Sequence, residues 1–292
     1  QDPFILNGRE LLLTASLGIA IYPDDGLKPS DLVRNADSAM YHSKETGRNT
    51  FSYFTDSMNR QVLRRFLLEE QMHGALERQE FRVVYQPQVR IGDEQITGAE
   101  ALLRWRNAAL GDIQPDEFIP VAEHTGMIIT LSKFVIREAL RQVAVWQGQR
   151  PELHMAINLS PRQFRDPDLV PHIERTLQQS GVAATSLELE ITEGVLMSGQ
   201  SYIGDTLTRL RQLGVGIAMD DFGTGYSSLS YLRRYPFDIL KIDRSFIQDL
   251  TFDPADRELI NAIIAMARSL GLRTVAEGVE ERAQVDHLAH QG

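Results

Sequence analysis

The stretch SLELEITEGVLMSGQSYIGDTLTRLRQLGVGIAMD, residues 186–220, decides the fold. It opens on a strand pattern over 186–192 and closes on another over 216–220. Between them, YIGDTLTRLRQLG (202–214) reads as a helix. Outward from this unit the alternation recurs. Strand patterns fall at FRVVYQPQV (81–89), ITGAEALLRW (96–105), LHMAINL (153–159), ILKID (239–243) and LRTVAEG (272–278). Helical patterns fall at 132–147, with Ser132 as expected cap, at 167–181, with Gly181 as stop, and at 256–271. Such alternation predicts parallel strands joined by right-handed crossovers. An open doubly wound sheet and a closed barrel both satisfy it. A dinucleotide-binding sheet needs a glycine-rich turn after its first strand, and neither 81–89 nor 96–105 is followed by one. The expected fold class is therefore α/β, a TIM-like (β/α) barrel.

The N-terminal residues read differently. ELLLTASLGIAIYP (10–23) reads as one apolar strand, PDDG as a turn, and KPSDLVRNADSAMYHSKETGRN (28–49) as a helix with Ser30 as cap. TFSYF (50–54) reads as a further short strand. Two strands and one helix bury too little surface for a core of their own, so residues 1–55 are expected to be the tail of a larger domain. Residues 56–80 form a charged amphipathic stretch, a linker helix or the first helix of the next domain.

The 292 residues carry a formal net charge of −10 and no cysteine. Disulfide scaffolds, thiolate metal sites and thiol nucleophiles are excluded. The acidic balance disfavours a nucleic-acid polymer as partner. No apolar run of about 18 residues and no signal peptide is present in this sequence.

The chemical signal is where the acids fall. Glu100, Asn158, Glu190, Asp220, Asp221, Asp243 and Glu277 sit at or near the C-terminal ends of the strand patterns, with Glu193 and Glu280 just beyond. That end of a barrel is where active sites are built. Burying so many carboxylates needs compensation, and oxygen-only ligands select Mg²⁺, Mn²⁺ or Ca²⁺. Two such ions would suit phosphate-ester hydrolysis. Any one of these acids alone reads equally well as an exposed loop residue. Lys241, one of four lysines in the chain, can stabilise phosphate beside the acids. Arg104 reads as a phosphate fork or a surface arginine. DDFGTGYSSLSYL (220–232) is a glycine-rich loop, either a mobile element or a plain connector. The seven histidines show no ligand-like grouping, YSS has no nucleophile-elbow setting, and Trp105 and Trp146 are expected in packing.

Together these motifs resemble the EAL family of cyclic di-GMP phosphodiesterases. The signature is Glu100-Ala101-Leu102 within EALLRW, joined by YQPQV, FIPVAE, NLSPRQF, LELEITE, DDFGTGYSSLSYL, LKIDRSFI and TVAEGVE, over about residues 64–292. Residues 1–55 resemble the C-terminal part of a GGDEF domain, through TASLGIAIYPDDG and LVRNADSAMYHSKETGRNTFSYF, without the GGDEF signature itself. The resemblance implies hydrolysis of cyclic di-GMP to linear pGpG with two Mg²⁺ or Mn²⁺ ions. It implies metal ligation by Glu100, Asn158, Glu190, Asp220, Asp221 and Glu277, with catalytic roles for Lys241, Glu277 and Asp221. Gln86, Leu103, Arg104, Asp243 and Glu280 match substrate-contacting positions. Glu193, Phe222, Gly223, Thr224 and Gly225 match the positions that set the loop at 221–229. A homodimer through the surface beside that loop and a cytoplasmic setting are implied as well, with any membrane anchor lying in regions outside this sequence. The implied organisation is a GGDEF fragment (1–55), a linker helix (56–80) and an EAL barrel (81–292). Family members continue past the position of Gly292, so the barrel is expected to lack its final strand and helix and to expose two sheet edges. A non-hydrolysing cyclic di-GMP receptor is the alternative function.

Overall fold

The structure is a computed structural model and describes residues 4–6, 9–11, 14–47, 49–197, 201–223, 229–250 and 252–292. The chain divides into two compact units, residues 1–73 and 74–292.

The first unit holds strands β1 (Phe4–Leu6), β2 (Arg9–Leu11) and β3 (Leu17–Ile19), helix α1 (Pro29–Glu45), strand β4 (Phe51–Tyr53) and helix α2 (Asp56–Met72). β1 pairs antiparallel with β2, and β3 pairs parallel with β4. The single strand expected over 10–23 is thus broken, with residues 14–16 outside any strand. Helix α1 lies directly on Gly18, where an added Cβ would stand 1.9 Å from the Ala36 carbonyl oxygen. Ser30 is not the cap: Pro29 opens the helix after Lys28, with proline's fixed φ suited to the first turn. Ala39, Phe54 and Met58 make a small core. The amphipathic pattern over 56–80 is helical only to Met72.

The second unit carries strands β5 (Phe81–Val89), β6 (Ile96–Asn107), β7 (Gly111–Ile113), β8 (His154–Asn158), β9 (Leu187–Thr192), β10 (Gly216–Phe222), β11 (Ile239–Ile242) and β12 (Arg273–Ala276). Its helices are α3 (Pro115–Thr125), α4 (Ile128–Gln147), α5 (Leu169–Ser180), α6 (Glu193–Met197), α7 (Ser201–Gln212), α8 (Leu229–Arg234), α9 (Arg244–Gln248), α10 (Pro254–Ser269) and α11 (Arg282–Gln291). The strands form one curled sheet in the order β12-β11-β10-β9-β8-β6-β5, with β7 hairpinned onto β6. From β6 to β12 every neighbour along this order is parallel.

β5 departs from the expectation of parallel strands by pairing antiparallel with β6. The physical reason lies in the connection: residues 90–95 are too few for a parallel crossover, which needs a dozen or more, but enough for a hairpin. Helix α4 starts four residues before the expected cap, and Ser132 is buried inside it. Gly126 in the left-handed conformation (φ 89°) ends α3 and turns the chain straight into α4. Gly181 ends α5 as read, also left-handed at φ 71°. No single helix among the described residues is long and apolar enough to cross a membrane.

Candidate active site

Alternation along the parallel strands builds the site. Met155 and Ile157, Leu187, Leu189 and Ile191, Ile217 and Met219, and Leu240 and Ile242 join one core cluster with helix residues such as Ile136, Leu140, Ile173, Leu207 and Ile260. The residues between them therefore fall on the opposite face: Asn158 on β8, Glu188 and Glu190 on β9, Asp220 on β10 and Lys241 on β11. Strand register brings them level, with Asn158 opposite Glu190 and Glu190 opposite Ala218. On β6, Glu100 lies opposite Ala156, and its other neighbour is Gln86 on β5.

Lys241 is at the centre. Its side chain is 2% exposed, and Nζ lies 2.6 Å from Glu190, 2.6 Å from Glu277, 3.2 Å from Asp220 and 3.4 Å from Glu100. Burial alone would lower its pKa, but the carboxylates of Glu190, Asp220, Glu100 and Glu277 outweigh burial and raise it. Lys241 therefore stays an ammonium. Burial pushes Glu190 well up despite Lys241, and pushes Glu277 up as well. Asp221 is raised by burial and then by its neighbours Asp220 and Asp243. Asn158 Nδ2 donates to Glu100 Oε1 at 2.6 Å.

Carboxylate oxygens of Asp220, Asp221 and Glu277 lie within 4.8 Å of one another. Consecutive residues of a regular strand point to opposite faces, so Asp220 and Asp221 need a local device to converge. The register of β10 shifts between Met219 and Phe222, and Asp221 takes φ 55°. Two unit charges 4.8 Å apart repel by about 3.5 kcal/mol in a dielectric of about 20. Five carboxyl groups (Glu100, Glu190, Asp220, Asp221 and Glu277) face one ammonium, so the cluster is negative when they ionise, and burial opposes that at Glu190, Glu277 and Asp221. A hard divalent cation fits this donor set, which is oxygen throughout.

The remaining candidate residues are spread around this centre. Asp243 caps α9, accepting from the Ser245 N–H (2.9 Å) and hydroxyl (2.5 Å). Burial pushes its pKa up, but the Ser245 donors and Arg244 hold it below the ordinary range. Arg104 shares the alternation of Glu100 four residues further along β6, about 13 Å, and donates to the Leu103 carbonyl at 2.9 Å. Leu103 alternates to the other side and packs partly buried against the core. Glu280 is exposed, and its N–H is held by Gln284 Oε1 at the start of α11. Glu193 is buried at the start of α6, and Phe222 is buried at the end of β10. Gly223 has φ 100°, and the Phe246 ring would lie 2.7 Å from an added Cβ there. Thr224 and Gly225 lie outside the described residues.

Two groups were not singled out in the sequence. Ser160 Oγ donates to Glu123 Oε1 at 2.6 Å, and Arg162 donates to the carbonyls of Glu123 and His124, fixing the segment after Asn158. At the N-terminal ends of the strands, Glu188 is paired with Arg273 and lies 3.7 Å from His154, whose Nε2 bonds Gln88 at 2.7 Å. The signal for Glu188 was present in the sequence, as the alternation Glu188-x-Glu190.

Comparison with known proteins gives the same picture. The EAL domain model matches residues 69–292, and the diguanylate cyclase, GGDEF domain model matches residues 1–50. The chain is 42% identical to the bifunctional diguanylate cyclase/cyclic di-GMP phosphodiesterase MucR of Pseudomonas aeruginosa, covering 100% of this chain and 43% of the relative. It is 36% identical to the cyclic di-GMP phosphodiesterase PdeR of Escherichia coli, covering 99% and 44%. The chain thus spans less than half the length of these curated relatives. Among solved structures, it is similar to the PaMucR phosphodiesterase in complex with c-di-GMP (41% identity, TM-score 0.73, covering 77% of this chain and 92% of that one). It is also similar to the EAL enzyme Bd1971 with cAMP and cyclic di-GMP bound (34%, TM-score 0.75, covering 79% and 64%). With a family model matched over most of its length and an acidic centre at the strand ends, this chain belongs to the EAL domain family.

Proposed function

We propose that this chain is a metal-dependent phosphodiesterase that hydrolyses one phosphodiester of cyclic di-GMP to give linear pGpG. The observation that carries the reading is the convergence of Asp220, Asp221 and Glu277 beside the buried ammonium of Lys241. In the reaction, water adds its hydroxyl to phosphorus, one P–O bond breaks, and the departing sugar oxygen takes a proton. Asp220, Asp221 and Glu277 would hold Mg²⁺ or Mn²⁺, with Glu100, Asn158 and Glu190 completing the donor set for two ions. When bound, the ions supply positive charge to the phosphodiester and acidify water. Lys241 contributes a fixed positive charge that four carboxylates keep protonated and immobile. Arg104 offers a planar fork to a phosphate oxygen, and Asp243, Gln86, Leu103 and Glu280 form the rest of the proposed substrate surface.

The same reading assigns residues 1–55 to a GGDEF fragment, 56–80 to a linker helix and 81–292 to the EAL barrel. It includes a cytoplasmic setting, a homodimer beside residues 221–229, and loop-setting roles for Glu193, Phe222, Gly223, Thr224 and Gly225. A second reading, a receptor that binds without cleaving, is favoured only by the absence of β5–β12 pairing among the described residues. The test is product chromatography after incubation with cyclic di-GMP and Mg²⁺ or Mn²⁺, against a chelator control. pGpG is expected with metal only, and Glu100→Ala is expected to cut its formation by at least about tenfold, since even outer partners of a metal site are worth about 10–100-fold. Unchanged turnover in Glu100→Ala would sink the metal assignment. Calorimetric binding of cyclic di-GMP without product would establish the receptor.

A further inference from the structure

The carboxylates gather at one end of the strands, and arginines gather toward the other. An open groove of about 430 Å³ is lined by Thr208, Arg211 and Gln212 from α7 and by Arg233, Arg234, Tyr235 and Pro236 from the end of α8 onward. These segments lead into the N-terminal ends of β10 and β11, roughly 13 Å along the strand from the Asp220 level. No acidic side chain lines the groove, although the chain as a whole is acidic.

The three guanidinium groups are held differently. Arg211 is paired with Asp238 at 2.6 Å. Arg234 lies over the Tyr235 ring, 5.4 Å from its centroid, and Tyr235 stacks on Tyr231 at 6.3 Å. The Tyr235 ring closes on Gly204, where an added Cβ would meet it at 3.2 Å. Neither Arg233 nor Arg234 makes an ion pair with a described acid. Arginine in the last turn of a helix complements the helix dipole, an effect worth tenths of a kcal/mol at a surface. Here two helix ends bring three such groups to one groove. The Thr208 hydroxyl donates to the Gly204 carbonyl at 2.8 Å, and the Gln212 amide adds a donor beside the arginines. Planar, permanently charged forks around one groove are the donor set for phosphate oxygens.

We propose that the groove formed by Arg211, Arg233 and Arg234 is an anion site, separate from the acidic centre, that takes a small phosphate-bearing molecule. Free phosphate or pyrophosphate and the phosphate of a nucleotide share this chemistry.

The test is calorimetric titration of the full chain with pyrophosphate at low salt. A chelator removes divalent cations, so that the acidic centre repels the probe. Saturable binding that weakens with added salt is expected. Arg233→Gln/Arg234→Gln should weaken it by at least about tenfold, and Thr208→Glu, which places a carboxylate in the groove, should do the same. Both variants alter exposed side chains and should melt with the wild type. Parallel titrations with inorganic phosphate and guanosine 5′-monophosphate distinguish the sources. A nucleotide binding tenfold tighter than phosphate assigns the site to nucleotides, and equal affinity assigns it to the free anion. No saturable heat with any of the three probes, or equal affinity in the wild type and both variants, would overturn the site. In that case the arginines serve the helix ends only. The titration uses no turnover, so it stands or fails independently of the hydrolysis reading.

Discussion

Replacing Lys241 with methionine keeps an unbranched side chain, one atom shorter, and removes its charge. In the wild type that ammonium touches four carboxylates at 2.6–3.4 Å with 2% of its surface exposed. Removing one partner of a buried ion pair costs about 3–5 kcal/mol, because the other charge is left uncompensated. For a unit the size of residues 74–292, each kcal/mol moves the melting temperature by about 2–4 °C. Lys241→Met is therefore expected to melt about 6–20 °C below the wild type in chelator near pH 7.5. A divalent cation at about 100 times its dissociation constant restores about 2.7 kcal/mol, so Mg²⁺ or Mn²⁺ should recover part of the loss. The assay is thermal unfolding followed by circular dichroism, with chelator and with each metal. A variant that melts within 1 °C of the wild type in chelator would show that Lys241 does not neutralise the cluster, and the electrostatic reading of the site would fall with it.

Two further outcomes follow from the ionisable groups. Burial raises the pKa values of Glu190, Glu277 and Asp221, so the folded state holds protons that the unfolded chain has released. Their contribution is present below about pH 4.5 and is lost as pH rises through the folded values. In chelator the melting temperature should fall from pH 5 to pH 8 relative to the same scan in Mg²⁺. The difference between the scans matters because burial lowers the pKa values of His154 and His172, whose contribution runs the other way. Parallel curves with and without metal would contradict the assignment. Away from the site, Glu80 accepts from Trp105 Nε1 and Asn107 Nδ2, both at 3.0 Å, and the Arg78 guanidinium holds its pKa down to about 2. Glu80→Ala leaves these donors without that acceptor and should cost about 2–4 kcal/mol in urea unfolding. In the wild type this contribution holds above about pH 4.5 and disappears only as pH falls toward 2. A loss below 0.5 kcal/mol would mean that water replaces Glu80.

The parallel strands β6 and β8 to β12 were legible because residues such as Leu187, Leu189 and Ile191 alternate with Glu188 and Glu190, and the outward set is continuous with the helix layer; the three-residue β7 (Gly111–Ile113) was not, being too short to show an alternation. The stop of α5 was legible because Gly181 adopts the left-handed conformation that a helix end favours. Ser132 misled because a serine before an apolar run looks the same as a cap or as a buried helical residue, and only the turn at Gly126 distinguishes them. The direction of β5 was readable from the six-residue connection to β6, a steric bound stronger than the alternation argument. At the site, Asp220 and Glu277 were visible as acids at or just beyond strand ends, whereas Glu100 lies inside the long strand β6. The ring of carboxylates around Lys241 depends on which strands lie side by side, and the convergence of Asp220 with Asp221 depends on a backbone irregularity that residue types alone do not announce.

That irregularity limits how the site can be transplanted or varied. Copying two aspartates onto the end of a regular strand would send one side chain to each face of the sheet, so the pair is portable only together with its bulge. Position 221 must also accept a left-handed backbone at φ 55°, a conformation that aspartate, asparagine and glycine adopt more readily than other residues. Glutamate would keep the charge but fit the backbone less well, and asparagine would keep the backbone but lose the charge. Under the proposed metal site, an engineer seeking a different metal preference would have more freedom at Glu100 or Glu277 than at Asp221, where the backbone conformation restricts the choice of side chain.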